Sequence, residues 1–420
     1  MDLFFLRQPP LNQMFYRVIA NMMSISTVGN RTNWGYKTYP KIYVLINIVA
    51  IIFAPTVIVS QVAYITINFT KLDFEILIIA FSVLPSTIVA NVDIFCSKTK
   101  TYLNLSRDLL SKIHLYNIYK YNKNDEFIKK KLIFTEKSTR ISSYYFIGFC
   151  LTNWLSWITM PIFNNYRNKE AILNHTVQLQ TCVYLWLPCD YRYDFNNWII
   201  VHTMNSYVIF AGASAIMIYQ AIFYTFTYNL IAHIEILKEK INTEFKEDLT
   251  DHQVHAKLVE IIKYHNFIWQ VFEDLQTAFG INVAANYLQS LVSNSILLFQ
   301  VMYGGKENLV QYITMVMAYA GGPIILSIVI EELRRRTYDL SDLLYAIPWQ
   351  NMSVPNQKIV LLVLQKMQIV MDFKAFGGIS AGVAPMISVS ISRIKKYYES
   401  LCFSGICISF IQVQTLSFVQ

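Results

Sequence analysis

Charge is what this sequence most lacks. Of its 420 residues, 15% are Asp, Glu, Lys or Arg, where a water-soluble domain carries about 25%. Hydrophobic residues make up 54% and aromatics 15%, which excludes a string of soluble domains and points to a lipid bilayer as partner. The opening residues MDLFFLRQPP have no unbroken apolar core of about 7–15 residues, so a secretory signal is not expected there. Six cysteines without a CxxC pair give neither a zinc site nor a disulfide framework. The net charge of +8 is spread between apolar runs and forms no basic face, so nucleic acid is not an expected partner. There is no Ser/His/Asp arrangement, phosphate-binding glycine loop or carboxylate pair within an apolar run. The sequence reads as no enzyme, with no cofactor and no metal; His252-x-x-His255 has ligand-like spacing but lies in a charged stretch that reads as a solvated face.

What is present is a series of apolar runs, each long enough for a ~30 Å hydrocarbon core. They read as spans over residues 42–67, 74–96, 141–160, 198–227, 279–303, 310–330 and 374–392. The expected fold class is an all-α membrane protein with seven transmembrane helices. Pro55 and Pro85 predict kinks in the first two spans, and Pro161 predicts the end of the third. Residues 97–140 are basic, with Leu105, Leu109, Ile113 and Tyr116 at helical spacing. Residues 229–278 and 333–372 are too polar for lipid and too long for turns, which predicts helices extended into an anchor outside the bilayer. On the fifth span Asn282, Asn286, Gln289 and Ser293 share one face, the spacing of bonds between helices. No internal repeat is visible, and an odd number of spans argues against a duplicated transporter.

Lys and Arg set the orientation. The N-terminus and the stretches 97–140, 229–278 and 333–372 hold twenty-five of them, against five in the intervening loops 68–73, 162–197 and 304–309. The N-terminus is therefore expected to be cytoplasmic. Glycosylation motifs at Asn68 and Asn174 then fall outside, although Asn30, Asn104 and Asn351 open the same motif on the inner side. This orientation, with no DRY or NPxxY motif, argues against a G-protein-coupled receptor.

Several stretches together resemble the insect odorant receptor family, its lepidopteran members most closely. VYLWLPCDYRYDFNNWIIVHTMNSYVIF is similar to that family's second outer loop and fourth helix. FTYNLIAHIEILKEKI and LVEIIKYHNFIWQVFEDLQTAF, with His265, resemble its inner helices. LLYAIPWQNMSVPNQKIVLLVLQKMQ, with Trp349 and Gln368, resembles the tract before its last helix, and GGISAGVAPMI resembles the start of that helix. The resemblance implies an odorant-gated, non-selective cation channel in the plasma membrane of a sensory dendrite. It also implies a hetero-tetramer with a co-receptor, a cytoplasmic anchor, and a pore lined by the seventh helix. A gustatory-type channel without the co-receptor and a transporter are the alternatives.

The resemblance further implies an apolar pocket for a small hydrophobic odorant in the outer half of the bundle, between the second, third, fourth and sixth helices. Those outer halves hold Phe74, Ile78 and Phe81; Asn153, Trp154 and Trp157; His202, Asn205 and Ile209; and Tyr312, Met315 and Tyr319. Spacing by three and four places each group on one helix face. An interfacial aromatic belt is the alternative for the aromatics, and bonding between helices is the alternative to a ligand contact for His202 and Asn205. Cys182 and Cys189 share the outer loop, where a disulfide and two free thiols are both open.

The resemblance stops near residues 387–389. KKYYES and the apolar LCFSGICISFIQVQTLSFV follow, so residues 393–420 read as an atypical tail. A mis-joined translation of the last segment is the preferred reading, with a natural variant as the alternative.

Overall fold

Helix forms wherever the apolar runs lie, and it continues well past most of them. A computed structural model describes residues 7–38, 41–69, 74–245, 249–303 and 309–384. Its helices are α1 (Met14–Ile25), α2 (Lys41–Asn68), α3 (Phe74–Cys96), α4 (Lys100–Asp108), α5 (Tyr116–Tyr119), α6 (Glu126–Arg167) and α7 (Lys169–Leu173). They continue with α8 (Phe195–Glu244), α9 (Asp251–Tyr303), α10 (Leu309–Arg335), α11 (Leu340–Tyr345) and α12 (Val354–Met367). Among the described residues there is no β-strand, only an isolated bridge between Lys374 and Ser380. Five helical stretches among the described residues, Ile51–Asn68, Ile79–Cys96, Glu126–Arg167, Phe195–Glu244 and Met315–Tyr345, are long and apolar enough to cross a membrane. The expected fifth span lies in α9, which carries Asn282, Asn286, Gln289 and Asn294 and is not among the five. Leu45, Ile48, Ile52 and Val59 of α2 and Leu155 and Ile162 of α6 point outward and are exposed. An apolar surface of this kind suits lipid.

Aspartates start two of the longest helices. Asp125 Oδ1 accepts the N–H groups of Phe127 and Ile128, and Asp194 Oδ1 accepts those of Asn196 and Asn197, satisfying donors left free by the first turn. Neither α8 nor α9 contains proline. The change from apolar to polar sequence alters what each helix touches without ending it, so expected span and anchor segments form single rods. The expected stop at Pro161 is corrected: α6 runs through it to Arg167. Asn165 lies in that added length and grips the following loop, accepting the Gln180 N–H at 2.8 Å and donating to its carbonyl at 2.9 Å.

Two apolar clusters divide the bundle. The larger one joins one end of α3, α8, α9 and α10 with α1, α4, α11 and α12. Tyr102 stacks on Tyr219 at 5.2 Å, and the Tyr219 hydroxyl donates to the Ala278 carbonyl at 2.9 Å. α9 packs extensively along α3, and its polar face makes the contact. Asn282 donates to Asp93, Gln289 donates to Ser86 Oγ at 2.8 Å, and Ser293 donates to the Ser82 carbonyl at 3.1 Å. The polar spacing of the fifth span thus serves helix–helix bonding.

Outside the apolar spans, a short π-helical turn at Leu109–Ile113 is tied down by buried polar groups. His233 Nε2–H donates to the Ile113 carbonyl at 2.6 Å, its Nδ1 accepts from the Tyr264 hydroxyl at 2.8 Å, and Asn229 Oδ1 accepts the Leu115 N–H at 2.8 Å. Burial holds the His233 imidazole down at about 4, with the Ile113 carbonyl opposing and His114 adding to the effect. An unfolded chain protonates histidine near 6.5, so between about 6.5 and 4 the unfolded state binds the extra proton. Stability from neutral His233 is complete above that window and falls by about 3 kcal/mol as pH drops through it. The thermal midpoint of the purified protein should fall between pH 7 and 4.5, and more shallowly in His233→Gln. An equal slope in both proteins would assign the effect to other groups.

The start of the expected seventh span is also corrected. Lys374–Gly382 is a turn: Ala375 N–H donates to the Ile379 carbonyl and Ala381 N–H to the Phe373 carbonyl, both at 2.8 Å. Gly377 and Gly378 have φ of 83° and 78°, a left-handed geometry that ends right-handed helix. Helical backbone begins at Val383; the rest of that expected span and the tail lie outside the described residues.

Candidate functional site

The second cluster occupies the other end of the bundle. It is built from Val57, Tyr64 and Ile65 of α2, Ile76, Ile79, Ala80 and Val83 of α3, Trp157 of α6, Val201 of α8, Leu297 of α9, and Tyr312, Met315 and Tyr319 of α10. A strap from the loop before α8 runs into it, with Cys182, Val183, Tyr184 and Leu185 all buried. The strap is pinned on two sides. Ser60 and Trp186 exchange bonds, Trp186 N–H to the Ser60 carbonyl at 3.1 Å and Ser60 Oγ to the Trp186 carbonyl at 2.8 Å. On the far side Asn205 Nδ2 donates to the Val183 carbonyl at 2.6 Å and to Thr181 Oγ1 at 3.2 Å. Tyr64 stacks on Tyr184 at 5.4 Å, closing the strap over α2.

Few polar groups reach this apolar end. His202 stacks on Trp198 at 4.8 Å; its Nε2–H donates to the Ile158 carbonyl at 3.2 Å, and Nδ1 lies 3.5 Å from Thr181 Oγ1. The Tyr319 hydroxyl faces Ser86, Trp157 and Asn153. Asn205 Oδ1 and Gln61 Oε1 are buried without a hydrogen-bond partner among the described residues. Such acceptors are uncommon in a folded interior. The arrangement is a packed aromatic and aliphatic cluster with a small number of unsatisfied acceptors, the kind of side-chain set that lines a site for a small apolar molecule. No group of three or more His, Cys, Asp or Glu is placed to hold a metal among the described residues.

A family model for 7tm Odorant receptor matches residues 94–389. The chain belongs to the odorant receptor family. That family is not one of enzymes, and it is membrane-spanning and helical, as this chain is. No curated protein matches the sequence. Among solved structures, the insect olfactory receptor OR5 from Machilis hrabei is similar at a TM-score of 0.73 and 14% identity, over 92% of this chain and 97% of that one. The same receptor in complex with eugenol matches at a TM-score of 0.72 and 14% identity, over 96% and 100%. At that identity the likeness shows a shared fold.

In this odorant receptor family member the expected site residues separate. Trp157, Tyr312, Met315 and Tyr319 lie in this second cluster, at the end expected to face outward, with Ile209 packed against it. His202 and Asn205 meet at Thr181 on its strap side. Trp154 donates to the Ser206 carbonyl at 3.3 Å and packs on Phe210 at 5.1 Å, a contact between α6 and α8. Phe81 is 36% exposed, while Ile76, Ile79, Ala80 and Val83 turn inward. On a span apolar all round, spacing marks a face without saying which face is buried. The side chains of Phe74 and Ile78 lie outside the described residues. The Cys182–Cys189 pairing is corrected: both thiols are free, Cys182 buried with its Sγ 4.0 Å from Ser206 Oγ and Cys189 exposed. His252 and His255 are both exposed, and His255 Nδ1 lies 3.2 Å from Asn356 Oδ1. Sequence reasoning missed the strap, although its apolar run VYLWL inside a polar loop is a signal for burial.

Proposed function

We propose that this chain is an odorant receptor subunit that binds a small hydrophobic volatile in the outer cluster and gates a non-selective cation channel. In this reading it works in a hetero-tetramer with a co-receptor, in the plasma membrane of a sensory dendrite, with its N-terminus cytoplasmic. The family match over residues 94–389 carries the reading. The eugenol complex of OR5 adds that a protein of the same fold holds a small aromatic molecule. Trp157, Tyr312, Met315 and Tyr319 supply the apolar wall. Burial against them is worth about 25 cal/mol per Å², so neighbouring homologues are discriminated only modestly. Asn205 Oδ1 offers a hydroxyl-bearing ligand its directional contact.

The orientation makes Asn174 an outer-face glycosylation site. It is exposed at the end of α7, whereas the Asn68 amide is engaged with the Tyr64 carbonyl at 3.0 Å. Glycosidase treatment should shift the protein on a gel, and Asn174→Gln should abolish most of that shift. Loss of the shift in Asn30→Gln or Asn351→Gln instead would reverse the orientation.

The functional test is an odorant panel on cells expressing the chain with and without a co-receptor. Cation current that needs both proteins and an odorant is the expected result. Current from the chain alone would point to a gustatory-type channel, and substrate uptake without current to a transporter.

A further inference from the structure

α10 reaches from one end of the molecule to the other. Its first turns place Tyr312, Met315 and Tyr319 in the outer cluster, and its last turn carries Glu331 and Arg334. At about 1.5 Å per residue, Tyr319 and Glu331 stand roughly 18 Å apart along the rod. Arg334 Nη2 donates to both carboxylate oxygens of Glu331, at 2.5 and 2.6 Å, and Arg334 Nη1 lies 3.6 Å from Asp372 Oδ1. Ser380 Oγ donates to Asp372 Oδ2 at 2.5 Å, so the arginine and the turn after Asp372 are held together.

The Glu331 carboxylate then meets the backbone that leaves this turn. Oε2 accepts the Val383 N–H at 3.4 Å, and the neighbouring Gly382 N–H donates to the Tyr287 hydroxyl at 3.2 Å. Tyr287 is in turn 2.8 Å from Ser327 Oγ on α10. Gly382 has φ of +142°, and a Cβ placed there would lie 2.7 Å from Glu331 Oε2. Backbone geometry therefore favours glycine, and an added Cβ would push the carboxylate aside. Val383 is the first helical residue beyond the turn. The acceptor for its N–H comes from another element, α10.

We propose that Glu331 is a positioning residue: aimed by Arg334, it clamps the Gly382–Val383 backbone to α10, so that displacement of α10 at the outer cluster is passed to the chain leaving this turn. The clamp stands on the geometry, while its consequence for current rests on the channel reading above. The test begins with amide hydrogen exchange on the full chain in lipid nanodiscs. Glu331→Ala should raise exchange of the 378–383 amides about tenfold, the loss of one charge-assisted bond, whereas Ile328→Ala on the exposed side of α10 leaves it unchanged. Unchanged exchange in Glu331→Ala overturns the clamp. The second readout is current with a co-receptor, evoked by a mixture of eugenol, 1-octanol and benzaldehyde and divided by resting current at matched surface expression. A fall of about fivefold or more in Glu331→Ala, with partial return in Glu331→Asp, is expected for a backbone held by a single charged bond. An unchanged ratio beside altered exchange overturns the coupling. If the wild-type chain carries no current at all, the channel reading falls and the coupling with it, while exchange still decides the clamp.

Discussion

Glu136→Ala is expected to destabilise the folded chain by about 3–5 kcal/mol, enough to remove most of it from the cell surface. Glu136 and His114 are both fully buried, with Glu136 Oε1 3.0 Å from His114 Nε2. The Tyr116 N–H donates to His114 Nδ1 at 3.1 Å, which leaves Nε2 facing both the Tyr16 hydroxyl, at 2.9 Å, and Glu136 Oε1. The Tyr16 hydroxyl donates to the same oxygen at 3.3 Å, Gln13 Nε2 donates at 3.5 Å, and Arg140 Nε lies 3.6 Å from Oε2. Removing the carboxylate takes away an acceptor shared by His114, Tyr16 and Gln13 and a charge near Arg140, while Gln13 Nε2 keeps the Gln8 carbonyl at 2.7 Å; a buried group that loses such a partner forfeits free energy it once drew from water. Because Tyr16 and Gln13 belong to the N-terminal arm, α1 should loosen first. Thermal unfolding in detergent and surface labelling read the effect, with Glu136→Gln intermediate because it keeps an acceptor. An Ala variant with the wild-type midpoint and surface level would show that the cluster contributes nothing.

The second large effect is expected at Asn205. Asn205→Leu keeps the volume but removes the donors that hold the Val183 carbonyl and Thr181 Oγ1. Each unsatisfied acceptor costs about 1–3 kcal/mol, and the strap over the outer cluster should come away from α8. The half-maximal odorant concentration is expected to rise at least tenfold, the equivalent of about 1.4 kcal/mol, with surface expression preserved. Thr203→Ala is the control on the same helix: Thr203 is exposed and bonds only within its own turn, to the Ile199 carbonyl. A response in Asn205→Leu equal to that of the control would detach the strap from ligand binding.

Much of the helical architecture is legible in the sequence, because a run such as LINIVAIIFAPTVIVSQVAYITI is apolar over the length of α2 and offers no other structure. The polar stripe on α9 is legible too, since Asn282, Gln289 and Ser293 recur at helical spacing and find Asp93, Ser86 and Ser82. Helix ends are less so. Polarity changes at the edge of a hydrocarbon layer, but hydrogen bonding does not, so α8 and α9 continue where the composition shifts. The turn at 374–382 carries its warning in Gly377, Gly378 and Gly382, yet hydrophobicity there outweighs the glycine signal in a reading by runs. The candidate site is legible at Trp157, Tyr312, Met315 and Tyr319 as positions in the outer cluster. It is not legible at Phe81, where an all-apolar helix hides its buried face. The strap shows only as the apolar run VYLWL; where it docks is not legible, because that depends on Ser60 and Asn205, which are distant in sequence.

The most direct test is a density map of the full chain assembled with a co-receptor and bound to an odorant that evokes current. Ligand density is predicted between α3, α6, α8 and α10, against Trp157, Met315 and Tyr319 and beneath the strap held by Asn205. A different site stands ready to contradict this: an open cleft of about 570 Å³ at the opposite end, lined by Gln13, Phe15, Val18, Arg140 and Tyr144. Odorant density in that cleft, with the outer cluster packed as it is here, would overturn the assignment.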